Sequence, residues 1–199
     1  MDFNELNTEV ADKIRAGAIG IIPTDTIYGI VCSALNPKSV EKLRAIRGKP
    51  VDKPLLILVA DINDIKHFDI FPDSDTLSVL DKVWPGSVTA LLPIVNKSFD
   101  YLSAGTGNLG VRFPSDPNLR KFLSRTGPLV APSANKPRNK PAWTLDEAKE
   151  YFPDLDFYVN GGTLTDKPST IIKIEGGRAK VVRQGAADIP GDLIFHNLA

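Results

Sequence analysis

One cysteine, Cys32, stands among 199 residues. A lone thiol excludes an internal disulfide and any multi-cysteine zinc site. Its place in an apolar run suits a buried, inert group better than a nucleophile, and its scarcity is compatible with a reducing compartment. Histidine is almost as rare: His67 and His196 are the two. Neither has a partner ligand near it in sequence, which disfavours a metal centre and a Ser-His-Asp relay. No apolar run reaches the roughly 18 residues of a membrane span, and the opening MDFNELNTEV is acidic and amphipathic, unlike a basic–apolar leader. A cytoplasmic location without membrane contact is expected. Excess charge of either sign is also missing, since 24 Lys and Arg balance 24 Asp and Glu. The whole molecule exerts no long-range pull on nucleic acid, so any RNA contact must come from a local basic face. No G-x-x-x-x-G-K-[ST] phosphate loop occurs, and no repeat or low-complexity tract is visible. The length fits a single domain over 1–199, large enough to bury about 70% of its unfolded surface.

What the chain does contain is organised around 20–59. A short apolar run, Ala18 to Ile22, predicts a buried strand that stops at Pro23. Hydroxyls and one carboxylate follow: Thr24, Asp25, Thr26 and Tyr28. A helix comes next, with Asn36 as its N-cap, Pro37 in its first turn, a buried stripe of Val40, Leu43 and Ile46, and Gly48 at its exit. A cationic turn then carries Arg47, Lys49 and Lys53, stiffened by Pro50 and Pro54. A solvated face would explain the charges alone; a polar strand end facing a stiff cationic loop also suits an anionic substrate.

The remaining segments either add to this site or support it. Phe3, Leu6, Val10 and Ile14 recur at helical spacing, ended by Gly17. Leu55 to Ala60 reads as a strand, Asp61 to His67 as a short helix or turn, and Leu77, Leu80 and Val83 as a further helix broken at Pro85-Gly86. Ser87 to Pro93 is strand-like. Residues 96–108 read as a long Gly- and Ser-rich loop, a form often used for lids. Leu109 to Phe113 is a strand from which Arg112 leaves the face opposite Val111 and Phe113; its fork suits a carboxylate. Pro117 to Ser124 is a helix. Leu129 to Ala131 is a strand ending in Pro132-Ser133-Ala134-Asn135, a second apolar strand with a polar end. Crevices in open α/β sheets lie outside strand C-termini, so the two polar ends are expected to face each other. The loop 136–141, KPRNKP, is a further cationic segment. Thr144 and Glu147 predict a capping box, Phe157 to Asn160 is strand-like, and Ser169–Glu175, Gly176-Gly177 and Arg178–Arg183 predict a hairpin. That hairpin sets Ser169 close to Arg183. Cations and hydroxyls without a covalent nucleophile suit orientation of a triphosphate beside a small carboxylate-bearing molecule.

The segments PTDTIYG, RGKPVDKPL, GVRFP, APSAN, PSTI and VVRQG occur in this order. Together they resemble the YrdC-like threonylcarbamoyl-AMP synthases over about residues 10–186. The resemblance implies an α/β fold: a twisted, mixed, largely open sheet with flanking helices and a concave basic groove, without the extra C-terminal domain of the longer family form. It implies conversion of L-threonine, bicarbonate and ATP, with Mg²⁺, into L-threonylcarbamoyladenylate and pyrophosphate. The product would serve t6A37 modification of tRNAs through downstream transferase proteins. By the same resemblance Thr26, Arg112, Ala131 and Ser169 correspond to threonine-binding positions. Arg47, Lys49, Lys53, Asn108, Ser133, Asn135 and Arg183 correspond to ATP-binding ones. Arg47-Gly48-Lys49 exchanges the family's usual K-x-R, Lys53 replaces a frequent Asn, and Leu58 stands where some members carry His. Two other readings remain open: a double-stranded RNA-binding module, and handling of carbamoyl-adenylate.

Overall fold

The structure is a computed structural model and describes residues 6–48 and 53–195. Helix α1 (Thr8–Arg15) starts where the Asn7 side chain accepts a hydrogen bond from the Val10 amide, and it buries Val10, Ala11 and Ile14. Leu6 joins the same apolar cluster; Phe3 lies outside the described residues. Strand β1 (Gly20–Ile22) follows and turns back into β2 (Gly29–Ser33), its antiparallel neighbour. The polar stretch 23–28 is therefore the turn of a hairpin, not a lead into a helix. Helix α2 (Pro37–Arg47) has the expected ends: Asn36 accepts from the Ser39 amide, Pro37 sits in the first turn, and Gly48 closes it in the left-handed region at φ 62°.

The other elements are β3 (Leu56–Leu58), α3 (Ser74–Val83), β4 (Val88–Pro93), α4 (Asp100–Ser103), β5 (Asn108–Arg112), α5 (Pro117–Thr126), β6 (Leu129–Val130), α6 (Leu145–Tyr151), β7 (Phe157–Tyr158), β8 (Thr170–Glu175) and β9 (Arg178–Arg183). A 3₁₀ turn over Ile62–Phe68 fills the segment read as a short helix. Among the described residues the strands form one mixed sheet in the order β7-β1-β2-β6-β3-β5-β4-β8-β9. Parallel pairs (β1 with β7, β3 with β5, β4 with β8) are set among antiparallel ones. Apolar side chains cover both faces. One cluster joins α1 and α5 to β1, β2 and β6 through Ile14, Ile22, Val31, Phe122 and Leu129. The larger one gathers α2 and α3 with the rest of the sheet through Leu43, Val79, Ile57, Val111 and Ile172.

Residues 96–108 are not an open lid. They contain a 3₁₀ turn over Lys97–Phe99 and helix α4, whose Leu102 and Ser103 are buried. Arg44 of α2 donates to the Tyr101 and Leu102 carbonyls, and the Tyr101 hydroxyl donates to the Ala34 carbonyl. Phe99 and Leu102 supply the apolar anchors that a Gly- and Ser-rich reading overlooked. The capping box at α6 is half formed. Thr144 accepts from the Glu147 amide, but the Glu147 carboxylate takes the amide of Trp143, one residue before the cap.

The sheet curls strongly. β6 and β3 separate β2 from β5, a lateral gap of about 14 Å in a flat sheet. The turn before β2 nevertheless meets the end of β5, with the Arg112 guanidinium 2.8 Å from the Thr26 hydroxyl. Curvature and the length of the arginine side chain together let these two segments meet.

Candidate functional site

The hairpin turn is held by its own hydroxyls. Thr24 Oγ1 donates to the Ile27 carbonyl at 2.7 Å and accepts from the Thr26 and Ile27 amides. Its hydroxyl lies 3.2 Å from that of Thr26. The second polar strand end lies directly alongside. The Ile30 amide donates to the Pro132 carbonyl, the Ala134 amide to the Tyr28 carbonyl, and Gly29 bridges Ser133. The two polar strand ends thus face each other as an extension of the β2–β6 ladder.

Arg112 reaches this turn from the end of β5 and is 1% exposed. Nε donates to the Gly86 carbonyl, Nη1 to Thr26 Oγ1 and Nη2 to Ser87 Oγ. Nη2 also lies 2.6 Å from Asp25 Oδ1, in an ion pair without hydrogen-bond alignment. Among the described residues, one Nη1 hydrogen remains uncommitted. Burial holds the guanidinium below its ordinary value, and Asp25 opposes that shift. Asp25 Oδ2 accepts from the Ser115 amide and hydroxyl, which ties the turn to the segment after β5.

A cavity of about 570 Å³ joins these groups to the cationic side. Thr26, Arg47, Lys53, Arg112, Ala131 and Ser133 line it, as do Asn135, Ser169 and Arg183. Lys49 lies outside the described residues. Asn108 does not line the cavity: it opens β5, whereas Arg112 ends it, and its amide donates to the Thr106 carbonyl. Arg47 is 4% exposed, donates to the Ser133 carbonyl at 3.2 Å and leaves Nε without a partner. Burial first, and nearby Arg44 second, push it down to about 10. A buried cation with a bare donor is a place for an anion. Asn135 donates to the Lys136 and Asn139 carbonyls, while its own side-chain oxygen is buried without a partner.

Across the cavity the Ser169 hydroxyl lies 2.8 Å from that of Thr89, and Arg183 donates to the Ser169 carbonyl at 2.7 Å. The hairpin therefore brings Ser169 and Arg183 together as its register requires. The structure adds residues that sequence reading did not assign: Thr89, Tyr28 and Arg138 line the cavity, and Asp25 backs Arg112. Thr89 could have been found from register alone, because the pairing of Ala90 with Val111 puts it opposite Arg112. Lys136 of the KPRNKP loop turns away, donating to the Ile46 carbonyl and sitting 4.7 Å over the Phe152 ring. Cys32 is buried, and desolvation pushes its thiol up to about 12, so it is no nucleophile at neutral pH. The described residues contain no group of three His, Cys, Asp or Glu side chains able to hold a metal, and no helix long and apolar enough to cross a membrane.

Comparison with known proteins supplies the relatives. The chain is 34% identical over 174 residues to the threonylcarbamoyl-AMP synthase of Pseudomonas fluorescens strain Pf0-1, covering 85% of this chain and 92% of that protein. It is 33% identical over 184 residues to the protein of that name in Pseudomonas putida strain W619, covering 89% and 96%. Among solved structures, E. coli YciO superposes with a TM-score of 0.83 at 23% identity, covering 96% of this chain and 93% of that one. P. abyssi Sua5 complexed with L-threonine gives a TM-score of 0.84 at 23% identity, covering 94% of this chain and 58% of the Sua5 chain. At that identity the structural likeness speaks for the fold. A family profile described as "Telomere recombination" matches residues 12–185, and with that coverage the chain belongs to the Sua5/YciO/YrdC family.

Proposed function

We propose that this protein is a threonylcarbamoyl-AMP synthase, which converts L-threonine, bicarbonate and ATP into L-threonylcarbamoyladenylate and pyrophosphate. One observation carries the reading. A single cavity holds a buried guanidinium with an uncommitted N–H beside a hydroxyl, Arg112 with Thr26, and a second buried guanidinium with a bare Nε, Arg47. The first suits a small carboxylate and the second a phosphate. The names of the curated relatives support the same activity.

The chemistry follows from positioning. Threonine's neutral amine attacks the carbon of bicarbonate or CO2; a C–N bond forms and, from bicarbonate, water leaves. A carbamate oxygen then attacks the α-phosphorus of ATP, and the bond to the β-phosphate oxygen breaks to release pyrophosphate. Arg112 and Thr26 hold the amino acid, with Ala131 and Ser169 shaping its pocket. Arg47, Lys53 and Arg183 offset phosphate charge, with Lys49 assigned to the same role. Ser133 and Asn135 orient the nucleotide. In-line transfer of this kind needs charge neutralisation and alignment, not a covalent enzyme intermediate. Mg²⁺ would arrive on the nucleotide's own oxygens and water, since the described residues offer no acidic cage. The reading extends to t6A37 modification of tRNA in the cytoplasm, with downstream transferase proteins receiving the adenylate.

The test is pyrophosphate release from ATP with bicarbonate present. Release is expected to depend on L-threonine and to yield the adenylate by mass spectrometry. Equal release without threonine would remove the assignment.

A further inference from the structure

Six cations among the described residues line the cavity: Arg44, Arg47, Lys53, Arg112, Arg138 and Arg183. No Asp or Glu lines it among the described residues. Arg44 is tied to the Tyr101 and Leu102 carbonyls. Among the described ion pairs, Arg112 alone of these six has a carboxylate partner. That partner, Asp25, has a side chain 7% exposed and stands behind the guanidinium, outside the cavity wall. The positive charge is thus divided. At one end it is cancelled from behind; at the other it is bare.

We infer that Asp25 is a specificity-determining positioning residue, which reserves the Arg112 end for a zwitterionic amino acid by making it a poor site for phosphate. The inference rests on the function proposed above and concerns how that site sorts its two substrates. An uncompensated buried guanidinium takes phosphate as readily as carboxylate, because both match its fork. A site that must hold an amino acid beside a triphosphate therefore needs an element that repels the wrong anion. Asp25 supplies it. A phosphate group with up to about two negative charges meets a pair of zero net charge and the repulsion of the carboxylate behind it. An amino acid brings its own ammonium and no net charge, so it meets no such repulsion. The carboxylate is also fixed in place: Ser115 holds Oδ2, and Oδ1 sits 2.6 Å from Nη2. Arg47, which forms no ion pair among the described residues and has a bare Nε, remains the preferred anchor for the phosphates.

The experiment is calorimetric titration of L-threonine into the full chain, with and without inorganic phosphate, for the wild type and Asp25→Asn. Asparagine keeps the shape and an oxygen for the Ser115 amide while removing the charge. In the wild type, phosphate at about 10 mM is expected to change the threonine Kd by less than about twofold, while weakening ATP binding clearly. In Asp25→Asn the same phosphate is expected to compete with threonine and raise its apparent Kd about tenfold or more. In turnover, the threonine KM of this variant is expected to climb more steeply with added inorganic phosphate than that of the wild type. Threonine binding by folded Asp25→Asn that ignores phosphate overturns the inference. So does a wild type in which phosphate displaces threonine as effectively as ATP, a comparison that stands even if the variant does not fold. A wild type that binds no threonine overturns the functional reading itself, and this inference with it.

Discussion

Two buried arginines, Arg112 and Arg47, sit in opposite surroundings. Arg112 has a carbonyl, two hydroxyls and a carboxylate; Arg47 has one carbonyl and a bare Nε. Removing each should therefore have opposite effects on stability. Burial lowers the folded pKa of Arg47 from its ordinary value to about 10. Between those values the unfolded chain binds more protons than the folded one, so stability rises with pH across that window. At neutral pH the cost of burying the charge is present in full. Arg47→Met removes that cost and is expected to stabilise the free protein by about 1–2 kcal/mol, while raising the ATP KM roughly tenfold or more. Calorimetry and steady-state kinetics check the two halves; a destabilised variant with an unchanged KM would make Arg47 a structural residue. Arg112→Ala leaves Asp25 buried and unpaired, which costs about 3–5 kcal/mol. Where the variant folds, its threonine KM is expected to rise about a hundredfold with little change for ATP. Equal losses for both substrates would argue against a carboxylate clamp.

At the scale of elements, the β8–β9 hairpin places Ser169 and Arg183 through the turn that follows it. The Gly185 and Ala187 amides donate to the Thr170 hydroxyl, and the Ala186 amide donates to the Pro168 carbonyl. A Cβ on Gly185 would lie 2.1 Å from the Pro168 oxygen and 2.5 Å from the Ser169 carbonyl carbon. Backbone cannot yield as a side chain can. Gly185→Ala is expected to cost about 2–4 kcal/mol in urea unfolding and to lower kcat/KM, since Arg183 hangs on the Ser169 carbonyl. Gly48→Ala meets nothing within 4 Å among the described residues, and its left-handed backbone resists at about 1 kcal/mol. A similar loss for both would mean the crowding at Gly185 relaxes. These elements also show how far the sequence could be read. The hairpin, the caps of α2 and the pairing of PTDTIYG with PSAN were legible, because turn glycines, a capping Asn before Pro and apolar strands with polar ends are local signals. Strand β2 was not, because it is buried along nearly its whole length and a short apolar run shows no alternation. The packed helix inside 96–108 was hidden by the Gly and Ser around Phe99 and Leu102. Asn108 was assigned to the nucleotide; its amide is taken by the Thr106 carbonyl and it does not line the cavity. The Asp25–Arg112 pair could not be read locally at all, because it depends on the curl of the sheet.

For the molecule as a whole, the cavity is assembled from segments between Thr24 and Arg183, with β1 near one edge of the sheet and β8 and β9 at the other. The cavity that joins both anion sites draws on residues spread along most of the chain, so a ligand that bridges them favours the native state as a whole. At a free concentration of about 100 times its Kd, such a ligand adds about 2.7 kcal/mol. In a chain of this length that corresponds to a Tm rise of about 5–10 °C. ATP is expected to produce this rise in the wild type and much less in Arg47→Met, although that variant starts from the higher Tm. The contrast separates an anion anchor from a general packing residue, which would shift the baseline without changing the response to ATP. Because formal charge is zero overall, the attraction for the triphosphate is local to the cavity. Added salt should therefore reduce the ATP response by screening the exposed cations, such as Lys53, more than the buried Arg47. A wild-type Tm that ignores ATP at concentrations saturating turnover would show that the cavity is not where the nucleotide's charge is held.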